Sequence, residues 1–206
     1  LGTGEEIIAK AEKELGELDP HIHIALTDHI AFTIDRLKEG MVISNPFLEE
    51  IKILYHEEYK LGIKGAVLIK ERLNVDIPET EVGFIALHIH AARTNKKVSE
   101  TVKYTSLIKQ LIEIVEEDLQ LEIDPIDLNY NRLVNHLRCS IDRLVNNKVV
   151  SNPLLQRIKE EFGEAFELAE KLAVFIEEKT NVVRSEDELG YLALHLQRLK
   201  ESKDNK

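Results

Sequence analysis

"VISNPFLEEIK" (Val42–Lys52) and "VVSNPLLQRIK" (Val149–Lys159) stand 107 residues apart in one chain of 206 residues. An Asn-Pro pair between apolar residues marks a helix start: a Ser or Asn side chain accepts from free N–H groups, and Pro suits the first turn. The same start written twice suggests that the whole surrounding bundle is written twice. Sliding the chain by 107 positions supports this. His29 falls on His136, "IDRL" (Ile34–Leu37) on "IDRL" (Ile141–Leu144), and Asn74-Val75 on Asn181-Val182. Gly83 falls on Gly190 and "ALH" (Ala86–His88) on "ALH" (Ala193–His195). From His29 to His90, 27 of 62 positions are identical without a gap. Two long copies describe a duplicated domain, not a solenoid.

Each copy reads as all-α. Sustained apolar/polar alternation is missing and turn punctuation is sparse. Thr3 with Glu6 predicts a capping box for a first helix. A second helix follows Pro20, a third starts at "SNP", a fourth runs from about Glu57 to Leu73, and a fifth carries "VGFIALHIHAAR". The expectation is two homologous helical-bundle domains of about five helices each. The first spans residues 1–96 and the second 97–206, with the boundary near Thr94–Val98.

Composition narrows the function. Lys and Arg total 27 against 38 Asp and Glu, a formal charge of −11, which argues against this chain gripping a nucleic-acid backbone. The single cysteine, Cys139, allows no internal disulfide and fits a reducing, cytoplasmic setting. It stands opposite Phe32 in the repeat, which predicts an apolar packing position. No apolar run is long enough for a membrane span. A start at Leu1 rather than Met leads us to expect a fragment or a processed product. The acidic runs "VEED", "IKEEFGEAFE" and "SEDE" read as solvated helix faces and caps.

The repeat also sorts the eight histidines. His29 pairs with His136 and His88 with His195, whereas His21, His23, His56 and His90 face Leu128, Tyr130, Gly163 and Gln197. Arg36 lies seven residues after His29, and Arg143 seven after His136. Seven helical steps return to within roughly 20° of the start, so each histidine shares a stripe with a guanidinium suited to phosphate-type oxygens. Thr33 and Ser140 lie on the same stripes. Asp28 beside His29 becomes Asn135 in the second copy. His88 and His90 point about 200° apart on a helix and cannot chelate together. No metal or cofactor site is expected, and no nucleophile elbow or Gly-rich phosphate loop is present.

"ALTDHI", "NPFLEEIK" and "GFIALHI" resemble the first PTS regulation domain of bacterial transcriptional antiterminators. "LVNHLRCSIDRL", "NPLLQRIK" and "LGYLALHL" resemble the second. The resemblance covers nearly the whole chain. It implies that His29, His88, His136 and His195 are phosphorylation sites of the sugar phosphotransferase system, and the shared stripes make Arg36 and Arg143 the candidate phosphate partners. It also implies HPr and the B domain of a sugar-specific enzyme II as phosphoryl donors, a homodimer, and no catalytic activity. RNA binding, to a leader hairpin, would belong to an N-terminal domain absent from this chain. In many members the transporter inactivates through the first domain and HPr favours the active dimer through the second. Two other readings remain open: the regulated domains of a DNA-binding operon activator, and a dimerisation scaffold whose histidines only pack.

Overall fold

The computed structural model describes residues 2–145, 150–180 and 185–204. Val149 and the Asn181-Val182 pair of the repeat lie outside them. Ten helices fill the described residues, five per copy. The chain forms two compact units, Leu1–Thr105 and Ser106–Lys206.

In the first unit α1 (Thr3–Leu15), α2 (Ile22–Lys38), α3 (Leu48–Leu54), α4 (His56–Leu73) and α5 (Glu79–Arg93) surround a core built from helical periodicity. On α2 the residues Ile22, Leu26, Ile30 and Ile34, spaced by four, are all buried. They meet Ile7 and Ile8 of α1, Leu68 and Ile69 of α4, and Ile85 and Ile89 of α5. Fully burying each such side chain contributes about 1.5–3 kcal/mol. A smaller cluster of Ile51, Tyr55, Tyr59, Val82 and Leu87 takes in Val102. Val102 belongs to α6 (Val98–Leu119), whose first turns therefore pack on the first unit. The Tyr55 hydroxyl and Thr105 Oγ1 share a buried hydrogen bond of 3.0 Å.

The second unit repeats the plan with α7 (Leu128–Val145), α8 (Leu155–Glu161), α9 (Gly163–Thr180) and α10 (Glu186–Asp204). Its core includes Leu111 of α6, Leu133 and Leu137 of α7, Leu172 of α9 and Leu196 of α10.

The repeated "SNP" has a different purpose from a simple helix cap. Asn45 Oδ1 accepts from the Phe47 N–H at 3.1 Å, shaping the turn before α3. Its Nδ2 donates to the Thr80 carbonyl at 3.2 Å, in the first turn of α5. Asn152 repeats both bonds, to Leu154 N–H at 3.1 Å and to the Asp187 carbonyl at 3.4 Å. Both asparagines are buried. The repeated glycines give them room: a Cβ on Gly83 would lie 2.7 Å from Asn45 Nδ2, and one on Gly190 2.5 Å from Asn152 Nδ2. The phrase is thus a staple between a loop and the start of each domain's last helix.

Two local expectations fail. Thr3 and Glu6 form no capping box: α1 starts from Gly2 without a side-chain cap. Phe32 is no packing site either, being 70% exposed on the outer face of α2, while Cys139 is half-buried.

A pair of facing histidines over a buried carboxylate

The histidine stripe of α2 faces α5. His29 comes from one helix and His88 from the other, their rings 4.8 Å apart and tilted by 32°. Beneath them lies Glu81, fully buried. It stands seven residues before His88, so it points along the same face of α5. Arg36 Nη2 donates to Glu81 Oε1 at 2.6 Å, and Thr33 Oγ1 donates to Glu81 Oε2 at 3.0 Å. The same Oε2 lies 3.4 Å from His29 Nε2. The predicted stripe of His29, Thr33 and Arg36 is thus gathered around one carboxylate.

The second unit rebuilds this arrangement. His136 of α7 and His195 of α10 stack with ring centroids 4.0 Å apart and a tilt of 33°. Arg143 grips the buried Glu188 with two nitrogens, Nε at 2.5 Å and Nη2 at 2.8 Å. Ser140 Oγ donates to Glu188 Oε2 at 3.2 Å and lies 3.4 Å from His136 Nε2.

The electrostatics favour neutral imidazoles. Burial lowers the His29 pKa, Glu81 pulling the other way and Arg36 adding to the fall. Burial lowers His88 to about 4, helped by His29. Burial lowers His136 to about 3, helped by His195 and Arg143. For His195 burial acts first, followed by the charges of Arg198 and Arg132. All four rings therefore keep a nitrogen lone pair at neutral pH, the form that attacks an electrophilic phosphorus.

Sequence reasoning missed Glu81 and Glu188, and it placed Glu188 in the "SEDE" run as a solvated cap. That reading fails: Glu188 is buried and ion-paired. The signal was present, since the two glutamates coincide in the repeat and precede the histidines by seven. Arg132 and Arg198 were also missed. They replace Ala25 and Ala91 of the first copy, so the second pair carries extra positive charge.

The remaining histidines are fastened elsewhere or exposed. His23 Nδ1 contacts Glu5 at 2.8 Å. His90 turns away from His88, pairing with the buried Glu58 at 3.0 Å under the ring of Tyr55. His21 and His56 are exposed. Among the described residues no group of three metal-ligating side chains converges, and no helix is long and apolar enough to cross a membrane.

Comparison with known proteins places this arrangement. The PRD domain family matches twice, over residues 5–92 and 109–199. The transcription antiterminator LicT of Bacillus subtilis is 36% identical over 203 residues, covering 97% of this chain and 73% of that protein. The PtsGHI operon antiterminator of the same organism is 40% identical over 171 residues, 82% of this chain and 61% of its own length. The beta-glucoside operon antiterminator of Dickeya chrysanthemi is 33% identical, covering 96% and 71%. Two facing histidine pairs in two copies of one helical bundle thus sit in a chain that belongs to the PRD-domain transcriptional antiterminators, with its PRD domains in tandem.

Proposed function

We propose that this chain is the sensor part of an antiterminator for a sugar-uptake operon, regulated by reversible phosphorylation of His29, His88, His136 and His195. The observation that carries this reading is the pair of neutral, facing imidazoles in each domain, backed by a buried Glu–Arg couple. HPr and the B domain of a sugar-specific enzyme II are the donors, acting in the cytoplasm on a homodimer. The two regulatory domains follow the two copies, residues 1–96 and 97–206, while the compact units divide after Thr105 because the opening turns of α6 pack on the first. Recognition of a leader RNA hairpin belongs to another part of the full-length protein, consistent with the charge of −11 on this one. The chain regulates and does not catalyse.

The physical action follows from charge. A phosphoryl group brings up to about two negative charges beside a carboxylate that is already buried. In the first domain the nearest guanidinium, Arg36, is held by Glu81. Phosphate on His29 competes with Glu81 for it. Either Arg36 changes partner or the α2–α5 contact opens. In the second domain Arg132 and Arg198 stand close enough to depress His195, and they offer the phosphoryl group cations not committed to Glu188. The two domains thus respond differently to the same modification. In a symmetric dimer every such charge appears twice.

The test is peptide mass spectrometry after phosphotransfer from HPr, with and without the B domain. Phosphate on His136 or His195 with HPr alone, and on His29 or His88 with the B domain, is the expected result. No phosphate at any of the four refutes the sensor and leaves a helical scaffold.

A further inference from the structure

The two ring nitrogens of His29 are not equivalent. Nε2 is buried and makes no aligned hydrogen bond, while Glu81 Oε2 faces it from 3.4 Å. A lone pair on Nε2 pointed at a carboxylate would be repelled, whereas an N–H there is attracted. The 19% of the His29 side chain that reaches solvent does so through other atoms. In the second copy His136 Nε2 faces Ser140 Oγ at 3.4 Å, and that hydroxyl gives its own proton to Glu188. Ser140 therefore accepts from an Nε2–H. One glutamate, directly in the first domain and through a hydroxyl in the second, holds the same tautomer twice. No such partner backs His88, whose Nδ1 is buried without a hydrogen bond.

We infer that His29 and His136 accept the phosphoryl group at Nδ1, with Glu81 and the Ser140–Glu188 relay acting as positioning residues that keep the proton on Nε2. The inference rests on the proposed phosphorylation and adds the reacting atom and its orienting group. The donor is a phosphoramidate, the phosphohistidine of a carrier protein. The Nδ1 lone pair forms the new N–P bond. The donor's N–P bond breaks, and its electron pair returns to the donor imidazole nitrogen. The acceptor keeps its Nε2–H, so its ring becomes cationic, and the buried carboxylate stands opposite that charge. A donor cannot form the bond at Nε2 of His29 without first displacing Glu81.

Two measurements on the full 206-residue chain test this. Long-range proton–nitrogen NMR of the unmodified protein reads each tautomer at neutral pH. The Nε2–H form is expected to be the major tautomer of both His29 and His136, by the attraction of an N–H to the carboxylate or hydroxyl that faces it. Substituting Ser140→Ala removes the relay and is expected to weaken the bias at His136 while leaving His29 unchanged. Phosphorylation by potassium phosphoramidate, followed by nitrogen and phosphorus NMR, reads the modified atom, with exposed His56 as internal control. Phosphorus on Nδ1 is expected at His29 and His136. Phosphorus on Nε2 of His29, or a dominant Nδ1–H tautomer there, overturns the inference. A chain that takes phosphorus on Nδ1 from phosphoramidate but none from phosphorylated HPr, with or without the B domain, supports the atom assignment and removes the sensor reading.

Discussion

Replacing Arg36 by Met isolates the buried couple on which the first histidine pair rests. The methionine keeps the apolar stem of arginine and deletes its charge. Glu81 is then left with no exposed surface, the Thr33 hydroxyl as its remaining donor, and His29 as a weak neighbour. Removing one partner of a buried ion pair costs about 3–5 kcal/mol, because the other charge stays desolvated. Domains are stable by roughly 5–15 kcal/mol, so the loss is large. The double substitution Arg36→Met with Glu81→Met removes both charges, and most of the loss is expected to return. The assay is urea unfolding followed through amide signals of α2 and α5, which report on the first unit alone. The same spectra give the His29 pKa. Arg36 lowers it and Glu81 raises it, so the single variant should titrate higher than the parent protein. A loss under about 1 kcal/mol, or a double variant no more stable than the single one, would refute the view that Glu81 is a buried charge that depends on its arginine.

Two further outcomes follow from the same geometry. The pH dependence of stability is set by bases whose folded pKa is depressed: His88 to about 4 and His136 to about 3. Their contribution is complete above the unfolded value near 6.5 and is lost as pH falls toward those folded values, a few kcal/mol per domain in all. Denaturant midpoints measured between pH 7 and pH 3.5 should fall across this window, and a flat profile between pH 6.5 and 4.5 would contradict it. Gly83→Ala and Gly190→Ala each drive a methyl against a buried asparagine and are expected to cost about 1–3 kcal/mol by overpacking. Thermal unfolding checks this, and a neutral result at both sites would show that the Asn45 and Asn152 staples yield freely.

The helices, their number per copy and the four paired histidines were legible in one sequence because helical periodicity is local and the chain supplies its own comparison. His29, Thr33 and Arg36 share a stripe for reasons of geometry alone. So does the divergence of His88 from His90. The carboxylate at the centre was not legible, although Glu81 and Glu188 also repeat. An acidic residue in the first turn of a helix is ordinarily solvated, and nothing in "SEDE" marks its last residue as buried. The reading of "SNP" as a helix start caught only the local half of the asparagine's work. The asparagine does shape the local turn, but its second bond reaches a carbonyl 35 residues away.

The sequence by itself determined the duplicated all-α architecture, the pairing of histidines between copies and the acidic balance of the chain. Each is a property of neighbours along the chain or of composition. Only the tertiary structure decided that α2 lies against α5 so that His29 meets His88, that Glu81 sinks beneath them, and that Nε2 is the covered nitrogen. Those contacts join residues 48 to 59 positions apart, and their energies depend on helix packing and on removal from water. Neither can be summed from local preferences.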